Sequence, residues 1–397
     1  MFTHVSPSDG QTTSKILEGM STSENFSMCK QAARLTFLTL MLLGLTLLPP
    51  AVTAQTAYTL TILPTLGGPS NRADAINDRG EIAGSSDLAD GSTHAFLYSG
   101  GTVKDLGTLG GSNSAAIGLN NLGAVVGSAD TGQDAFTTHA FVYRNSHMQD
   151  LGVLAVNPYS NYSQANSIND LGQIVGSSTI GTLNQAGTAL PTHAFFYNRG
   201  TMRDLGTLGG DNSEATSIND FGQIVGGAGL ANGTWHSFEY NSLVNSTGRL
   251  LDLGTLGGAS TVTFEAKSIN LLGEIAGASQ RADGAYHAFL YTPGVMRNGA
   301  GITQDLGAIY FTSGAWSINN RNYVVGYSFV SNTSYHAILY KGGQTLIDLN
   351  SFLPAGSPWV LKVAKGINDL GQIVGIARPS QNDTNDAPER AFILSPK

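Results

Sequence analysis

Short runs of alternating large and small side chains follow one another from about residue 58 to the end of the chain. In the run from His193 to Tyr197, alternation places His193, Phe195 and Tyr197 on one face of a strand. Turn-forming residues separate the runs, and the 3.6-residue period of amphipathic helices is missing. The pattern therefore predicts a sheet protein built of short strands joined by tight turns.

One unit of sequence recurs along the chain and predicts four short strands per copy. An Ile-Asn strand end is followed by the turn Asn219 to Gly222, in which Asn and Asp bond to nearby backbone and Gly accepts a positive φ. A Gln-Ile-Val-Gly strand comes next, then the His-Ala-Phe strand, and then a strand that leads into Asp-Leu-Gly. Two-residue turns such as Gly100-Gly101 join the last two strands.

Each marker of this unit occurs seven times when its weakened forms are included. The Asn of the first marker recurs at intervals of 43 to 51 residues, at Asn77, Asn120, Asn169, Asn219, Asn270, Asn319 and Asn368. The second marker begins at His94, His139, His193, His236, His287, His336 and Arg390. The third begins at Asp105, Asp150, Asp204, Asp252, Asp305 and Asp348, with a divergent copy from Ile62 to Gly68. Such units predict a seven-bladed β-propeller of four-stranded antiparallel blades, spanning residues 55–397.

The order of strands at the two chain ends suggests how the ring closes. The repeat region opens on a strand of the Asp-Leu-Gly type, Tyr58 to Leu63, and ends on a His-Ala-Phe strand, Arg390 to Leu394. If the Ile-Asn strand is innermost, the first strand completes the last blade, which leaves no unpaired edge. Seven complete blades, each starting at Asp-Leu-Gly, are the alternative.

Residues 1–54 are predicted to be an N-terminal extension and a signal peptide. Lys30 and Arg34 precede the apolar stretch Leu35 to Leu48, and Val52 to Ala54 forms a small-residue cleavage site. An uncleaved membrane anchor is the alternative, although 14 apolar residues are short for a span of about 20. We expect export to the periplasm, the cell surface or the medium. The one cysteine, Cys29, lies before the repeats, so the folded part can form no disulfide.

The net charge of the protein limits the classes of partner that it can bind. The net charge of −8 argues against a nucleic-acid-binding protein, which would present a basic face. We expect an extracellular partner, either a glycan or a protein, and contact with a membrane only through an uncleaved signal peptide. Nothing in the sequence predicts more than a monomer.

The repeated histidines are predicted to form structural pairs. The turn Gly100-Gly101 places Phe96 opposite Asp105 and His94 diagonally beside that carboxylate. The same residue spacing across the turns Asn145-Ser146 and Arg199-Gly200 predicts the same pairing in the next two units. Leaving either partner unpaired would cost about 1 to 3 kcal/mol, and no spacing of His, Cys or Glu suits a metal. We therefore predict no catalytic residue, no cofactor site and no metal site.

The irregular segments are the places where ligand contacts are expected, because binding residues concentrate on variable loops. Tolerated surface variation is the competing interpretation. Asn-Asp-x-Gly is only a weak candidate for calcium, since it lacks the further oxygen ligands and closing Glu of a calcium loop. The segments are 130–138, 179–191, 241–250, 293–304 and 351–365, with Trp359 in the last of them and Trp235 and Trp316 elsewhere.

The three markers together resemble those of the bacterial HAF-repeat proteins, a family of extracellular repeat proteins named after His-Ala-Phe. The resemblance extends from Tyr58 to Leu394 and implies export, but it implies no chemistry. This chain departs from the pattern at His236-Ser237-Phe238, at His336-Ala337-Ile338 and at Arg390.

Three functions are compatible with the sequence. The first is an exported binding or interaction module. The second is an extracellular glycan-active hydrolase or lyase, which would place unrepeated carboxylates or histidines on the ring axis. His147 is the only histidine of residues 55–397 outside the repeated position. The third is a structural role in the cell envelope.

Overall fold

The computed structural model describes residues 58–132, 137–156, 161–181, 190–241, 249–258, 269–294, 301–383 and 387–397. These residues form seven antiparallel sheets that follow one another around an axis as the blades of a β-propeller. The predicted fold class is therefore confirmed. The same residues contain no α-helix and two short 3-10 helices, Leu349–Phe352 and Ser380–Asn382. None of their helices is long and apolar enough to cross a bilayer.

Blades 1 to 6 each consist of strands that are consecutive in the chain, running from the axis outward. Blade 1 contains β2 (Asn71–Ile76), β3 (Ile82–Asp87), β4 (Thr93–Ser99) and β5 (Thr102–Asp105). Blade 2 contains β6 (Ser114–Leu119), β7 (Val125–Asp130), β8 (Thr138–Arg144) and β9 (His147–Asp150). Blade 3 contains β10 (Ser163–Ile168), β11 (Ile174–Thr179), β12 (Thr192–Asn198) and β13 (Thr201–Asp204). Blade 4 contains β14 (Gly209–Ile218), β15 (Gln223–Leu230), β16 (Trp235–Asn241) and β17 (Leu251–Asp252).

The remaining blades follow the same order. Blade 5 contains β18 (Ile275–Gln280), β19 (Tyr286–Thr292) and β20 (Ile302–Gly307), and the place of its innermost strand in the repeat falls largely outside the described residues. Blade 6 contains β21 (Ser313–Ile318), β22 (Tyr323–Phe329), β23 (Tyr335–Lys341) and β24 (Ile347–Asp348). Blade 7 contains β25 (Trp359–Ile367), β26 (Ile373–Pro379), β27 (Arg390–Pro396) and, as its outermost strand, β1 (Tyr58–Ile62).

The two ends of the repeat region share blade 7. Strand β1 pairs antiparallel with β27, so that Leu60 lies opposite Leu394. The N–H of Leu63 extends this contact by donating to the carbonyl of Ala391 at 2.8 Å. The ring is thus closed by the first strand, as predicted, and β27 is paired on both sides, with β26 and with β1.

The core lies between neighbouring blades. Phe96, Phe141, Phe195, Phe238 and Phe392 are fully buried at equivalent positions of five blades. Phe141, for example, packs with residues of blade 1 as well as blade 2. Burying one such side chain stabilises the fold by about 1.5 to 3 kcal/mol.

The repeated asparagines form a closed ring of hydrogen bonds around the axis. Each is at most 5% exposed, and its Nδ2 donates to the main-chain carbonyl of the equivalent asparagine in the next blade. The last link, from Asn368 back to the carbonyl of Asn77, is 3.0 Å long and closes the cycle. The other donor and acceptor pairs are Asn77 and Asn120, Asn120 and Asn169, Asn169 and Asn219, Asn219 and Asn270, Asn270 and Asn319, and Asn319 and Asn368.

A second set of hydrogen bonds links the residues that follow these asparagines, and it is interrupted once. The N–H of each residue donates to a side-chain oxygen at the equivalent position of the next blade, as from Asp170 to Asp220 at 2.9 Å. Blade 5 has Leu271 at this position, whose hydrocarbon side chain can accept nothing from Asp220. Burial and the charge of Asp170 raise the pKa of Asp220. The other links run from Asp78 to Asn121, Asn121 to Asp170, Leu271 to Asn320, Asn320 to Asp369 and Asp369 to Asp78.

Every described innermost strand contains a β-bulge at the same place. The register with the second strand skips one residue, as between Ala215 and Ser217 in blade 4. A bulge turns the skipped side chain away from the regular alternation. The skipped residues are Asp74, Ile117, Asn166, Thr216, Trp316 and Lys365.

Candidate functional site

A cavity of about 300 Å³ lies where the innermost strands converge on the axis. Six blades contribute to its wall, and all six bulged residues lie in that wall. The lining residues are Arg72, Asp74, Ala115, Ile117, Ser128, Gln164, Asn166, Glu214, Thr216, Trp316 and Lys365.

All the lining residues except Ser128 occupy two fixed positions of the repeat, five and three residues before the ring asparagine. Gly314 and Val363 stand at the first of these positions in blades 6 and 7 but are not among the lining residues. The residue between the two positions is a buried alanine, such as Ala215 in blade 4, because strand alternation turns it toward the neighbouring blade. The alanine and the asparagine recur in the described innermost strands, whereas the two cavity positions differ. The pairs are Arg72 and Asp74, Ala115 and Ile117, Gln164 and Asn166, Glu214 and Thr216, Gly314 and Trp316, and Val363 and Lys365.

One part of the wall is a chain of polar side chains from blades 3 and 4. The Tyr162 hydroxyl donates to Gln164 Oε1 at 3.1 Å, and Gln164 Nε2 donates to Asn166 Oδ1 at 2.8 Å. Asn166 Nδ2 in turn donates to Glu214 Oε1 at 2.8 Å and to the carbonyl of Ala215. Such a chain fixes the orientation of each amide, so the polar groups are held in place before any ligand arrives.

Blades 6 and 7 provide an aromatic part of the wall. Lys365 Nζ lies 3.2 Å from the centre of a Trp316 ring, which places the ammonium against one face of the indole. A ligand at this wall would meet an aromatic ring and a cation together.

On blade 1, Arg72 Nε donates to Ser85 Oγ at 2.9 Å and lies 3.6 Å from Asp74 Oδ2.

The charges in the wall balance. Arg72 and Lys365 are cationic, and Asp74 and Glu214 are anionic, so the lining carries no formal net charge. The described residues hold no group of three or more His, Cys, Asp or Glu side chains that could bind a metal. This composition suits a ligand that both donates and accepts hydrogen bonds and that bears little charge of its own.

The predicted His-Asp pairs are confirmed in six blades, and they lie away from this cavity. In blade 3, Phe195 lies opposite Asp204, and His193 Nδ1 lies 2.8 Å from Asp204 Oδ2. The Gly206 N–H also donates to this carboxylate, at 2.7 Å, and so begins the Asp-Leu-Gly turn. The other pairs are His94 with Asp105, His139 with Asp150, His236 with Asp252, His287 with Asp305 and His336 with Asp348.

Blade 7 replaces the pair by a different contact. Its outermost strand is β1, in which Ile62 lies opposite Phe392, so no carboxylate is present at the usual place. Arg390 stands where the other blades have histidine, and its Nη2 donates to the carbonyl of Leu63 at 2.9 Å. The loss of the histidine therefore accompanies the loss of its aspartate.

Replacing His193 with alanine should lower the free energy of unfolding by about 1 kcal/mol, because Asp204 loses a hydrogen-bond donor. Burial acts to raise the pKa of Asp204, but the hydrogen bonds from His193 and Gly206 and the charge of His193 outweigh it, so the pKa lies below the usual value. A lowered carboxylate pKa contributes stability above the unfolded pKa of about 3.9, and this contribution is lost as the pH falls through the folded pKa. The deficit of the variant should thus shrink below about pH 4.

Urea unfolding of both proteins across this pH range would check the prediction, with ligand binding as the control. A variant as stable as the parent at neutral pH would disprove the structural role of the pair.

Apart from Lys365, the last residue of the segment 351–365, the residues that line the axial cavity lie outside the irregular segments where ligand contacts are expected. Trp316 lies on β21 and faces the axis, while Trp235 and Trp359 begin strands β16 and β25. Parts of four of the five irregular segments fall outside the described residues, so the expectation for those parts is untested. His147 is exposed on β9, where it pairs with Arg144. The cavity positions could have been found by aligning the repeats and marking where the innermost strand varies.

The comparisons with known proteins leave the ligand open. No protein-family model and no curated protein matches the chain. TolB from Acinetobacter baumannii is 10% identical, with a TM-score of 0.43, over 69% of this chain and 62% of that chain. A fungal alcohol oxidase of the AA5 family is 14% identical, with a TM-score of 0.49, over 86% of this chain and 76% of the oxidase. The Aleuria aurantia lectin, solved with Fucα1-6GlcNAc, is 11% identical, with a TM-score of 0.39, over 74% of this chain and 100% of the lectin.

Likenesses at this level carry no argument about what the chain binds. Its own strands and repeats define it as a seven-bladed β-propeller repeat protein.

Proposed function

We propose that the protein is an exported binding module that holds a neutral carbohydrate in its axial cavity. The observation that carries this proposal is the composition of the cavity wall. Its side chains do not recur from blade to blade, and they include Trp316, Gln164, Asn166 and two pairs of opposite charges. Next to these varied residues, the repeat preserves the buried alanine and the ring asparagine in every blade whose innermost strand is described. Unrepeated polar and aromatic groups at the one point that six blades share are typical of a ligand site.

Carbohydrate chemistry matches this wall. Sugar hydroxyls donate and accept hydrogen bonds, as do the amides of Gln164 and Asn166, and carboxylates such as Glu214 accept from them. The C–H faces of a sugar ring pack against aromatic rings such as that of Trp316. An acidic polysaccharide is disfavoured, since the protein carries a net charge of −8 and the wall adds no positive excess.

Export and membership of the HAF-repeat family are part of this proposal. They rest on the predicted signal peptide and on the repeat markers of the sequence. Mass spectrometry of the protein recovered from the exported fraction would test export, since the mature chain should begin after Ala54.

Replacing Trp316 with alanine should weaken carbohydrate binding at least about tenfold, because an aromatic contact at the centre of a site is commonly worth about 1.4 kcal/mol or more. A glycan array followed by calorimetry on the purified protein would measure this. Trp235, which has similar intermediate exposure and does not line the cavity, provides the matched control Trp235→Ala. Equal loss in both variants, or none in Trp316→Ala, would contradict the proposal.

A glycan hydrolase or lyase is the second candidate, because the wall contains two unrepeated carboxylates, Asp74 and Glu214. Glycoside hydrolysis requires a pair of carboxylates that flank the bond to be broken. The same samples distinguish the candidates: a hydrolase or lyase would convert the bound glycan to shorter products with time, and Glu214→Gln would stop that conversion. A binding module would return the glycan intact.

A further inference from the structure

Blade 6 carries five aromatic residues at positions that are small or polar in blades 1 to 3. Tyr310 and Phe311 are the third and fourth residues after the Asp-Leu-Gly segment of residues 305–307, and Gly-Gly stands at the equivalent positions 67–68, 110–111, 209–210 and 257–258. Tyr327, Phe329 and Tyr335 lie on β22 and β23. The corresponding residues of blade 2 are Gly110, Gly111, Ser128, Asp130 and Thr138. We call these five rings the aromatic surface.

The five rings form a continuous row. The ring centres of Tyr310 and Phe311 are 5.1 Å apart, and those of Phe311 and Phe329 are 5.0 Å apart. Phe329 lies 6.3 Å from Tyr327 and 5.8 Å from Tyr335. Tyr310 is 55% exposed and Phe311 is 43% exposed, so the outer end of the row is open to solvent.

The inner end of the row lies against the innermost strand of blade 6. Tyr327 lies opposite Gly314, and a Cβ placed on that glycine would lie only 2.8 Å from the Tyr327 ring. In the repeat, Gly314 stands at the position that lines the cavity in blades 1 to 4, and Trp316, two residues further on, lines the cavity itself. In blade 2 the counterpart of Tyr327 is Ser128, which itself lines the cavity. The equivalence of the repeats therefore places the inner end of the aromatic surface next to the proposed sugar site.

We propose that the aromatic surface binds the continuation of a neutral glycan chain whose end lies in the axial cavity. This inference rests on the proposed function. The cavity volume of about 300 Å³ is at the lower limit for ligand sites, so a longer chain must leave it. Blade 6 offers the exiting chain a row of rings on which successive sugar rings can pack.

The electrostatics of the row favour a neutral occupant. Its charged neighbour Lys362 lies 4.7 Å from the Tyr335 ring centre and 2.9 Å from Asp383, so the two charges cancel. Five side chains also fall short of the roughly 20 to 30 residues that each partner contributes to a standard protein interface. A glycan needs only a narrow track of this kind.

The test is a titration of the purified protein with neutral β-glucan, xylan and chitin oligosaccharides, from disaccharide to octasaccharide. Affinity should rise with chain length in the parent. In the variants Tyr310→Ala and Phe311→Ala, long chains should bind about tenfold less tightly, while the disaccharide affinity is unchanged. Trp316→Ala should weaken binding at every length.

Phe221 supplies the matched control. It is 43% exposed, as is Phe311, but it lies in the Asn-Asp-x-Gly turn at the opposite end of the strands. Phe221→Ala should bind every oligosaccharide as the parent does. Melting temperatures of the variants would show that each is folded.

Three results would overturn the inference. If long chains bind no better than the disaccharide, or bind Phe311→Ala as tightly as the parent, the inference fails and the proposed function stands. If sedimentation reveals a dimer that Phe311→Ala dissociates, the surface belongs to a second copy of the chain. If no oligosaccharide binds the parent at any length, the proposed function fails together with the inference.

Discussion

Gly226→Ala is expected to destabilise the propeller by about 3 kcal/mol or more, a large effect for one methyl group. The bulge in β14 pushes the carbonyl of Glu214 against Gly226 on the second strand. A Cβ at this position would overlap that carbonyl oxygen and lie 2.9 Å from the Cα of Ala215. Both obstacles are backbone, so no side-chain rotation can relieve them. Urea unfolding would measure the loss as a lower midpoint at an unchanged slope.

Gly229 provides a control within the same strand. A Cβ there would meet its nearest atom, the Asn212 carbonyl oxygen, at 3.5 Å, which is an ordinary contact. Gly229→Ala should therefore change the midpoint little. Similar losses at both positions would mean that strand conformation, and not the bulge, determines the need for glycine at Gly226.

The same overlap recurs around the ring, which explains why the second strand carries glycine after its apolar pair. An added Cβ would meet the carbonyl of the residue before the buried alanine in six blades, at Gly84, Gly127, Gly176, Gly226, Gly326 and Gly375. The sequence pattern places these glycines on a strand but gives no reason for them. The reason is the close approach of the innermost strand's carbonyl group to each glycine, which the conformational preferences of single residues do not predict.

The fold could be predicted from sequence because its signals are local and repeated. The turn Arg199-Gly200 fixes the register of its hairpin, so the approach of His193 to Asp204 follows from counting residues. Closure by β1 is one of the two arrangements that the order of strands at the two ends allows, and the structure shows that it is the one adopted. The unit occurs seven times, so the same strands and turns are predicted from seven copies. A wrong assignment in one copy would disagree with the assignments in the others.

The cavity could not be predicted in the same way, because it is made of the residues that do not repeat. Glu214 and Trp316 are unremarkable on their own strands. They share a site only because every innermost strand meets the axis, where strand alternation turns Trp316 to the side opposite the buried Ala315. The sequence analysis singled out Trp316 as an unrepeated aromatic residue but not Glu214, because a variable position within a repeated strand is harder to recognise than an irregular loop.

The asparagine ring is the one feature that depends on all seven blades at once. Asn219 Nδ2 donates to the carbonyl of Asn270 at 3.0 Å and to Gln223 Oε1 at 2.9 Å. Its Oδ1 accepts the N–H groups of Phe221 and Gln223, which shapes the turn. One buried side chain thus joins two blades and closes its own turn.

Asn219→Asp is therefore expected to destabilise the protein by about 3 to 5 kcal/mol at neutral pH, although it changes a single atom. The carboxylate keeps the acceptor role within the turn, but its second oxygen faces two acceptors, the Asn270 carbonyl and Gln223 Oε1. Burial beside these oxygens disfavours the ionised form, so the pKa of the introduced carboxyl in the folded state should exceed its unfolded value of about 3.9.

The pH dependence follows from that shift. Because the folded pKa is raised, the stabilising contribution of the protonated carboxyl is fully present below the unfolded pKa and is lost as the pH rises through the folded pKa. The deficit relative to the parent should be smallest near about pH 4, where the carboxyl can donate to Asn270, and largest above neutrality. Asn232→Asp adds the same charge at an exposed turn where Asn232 only accepts, from Thr234, so it should be nearly neutral at every pH. A deficit in Asn219→Asp that does not change with pH would mean that its Nδ2 hydrogen bonds do not hold the ring together.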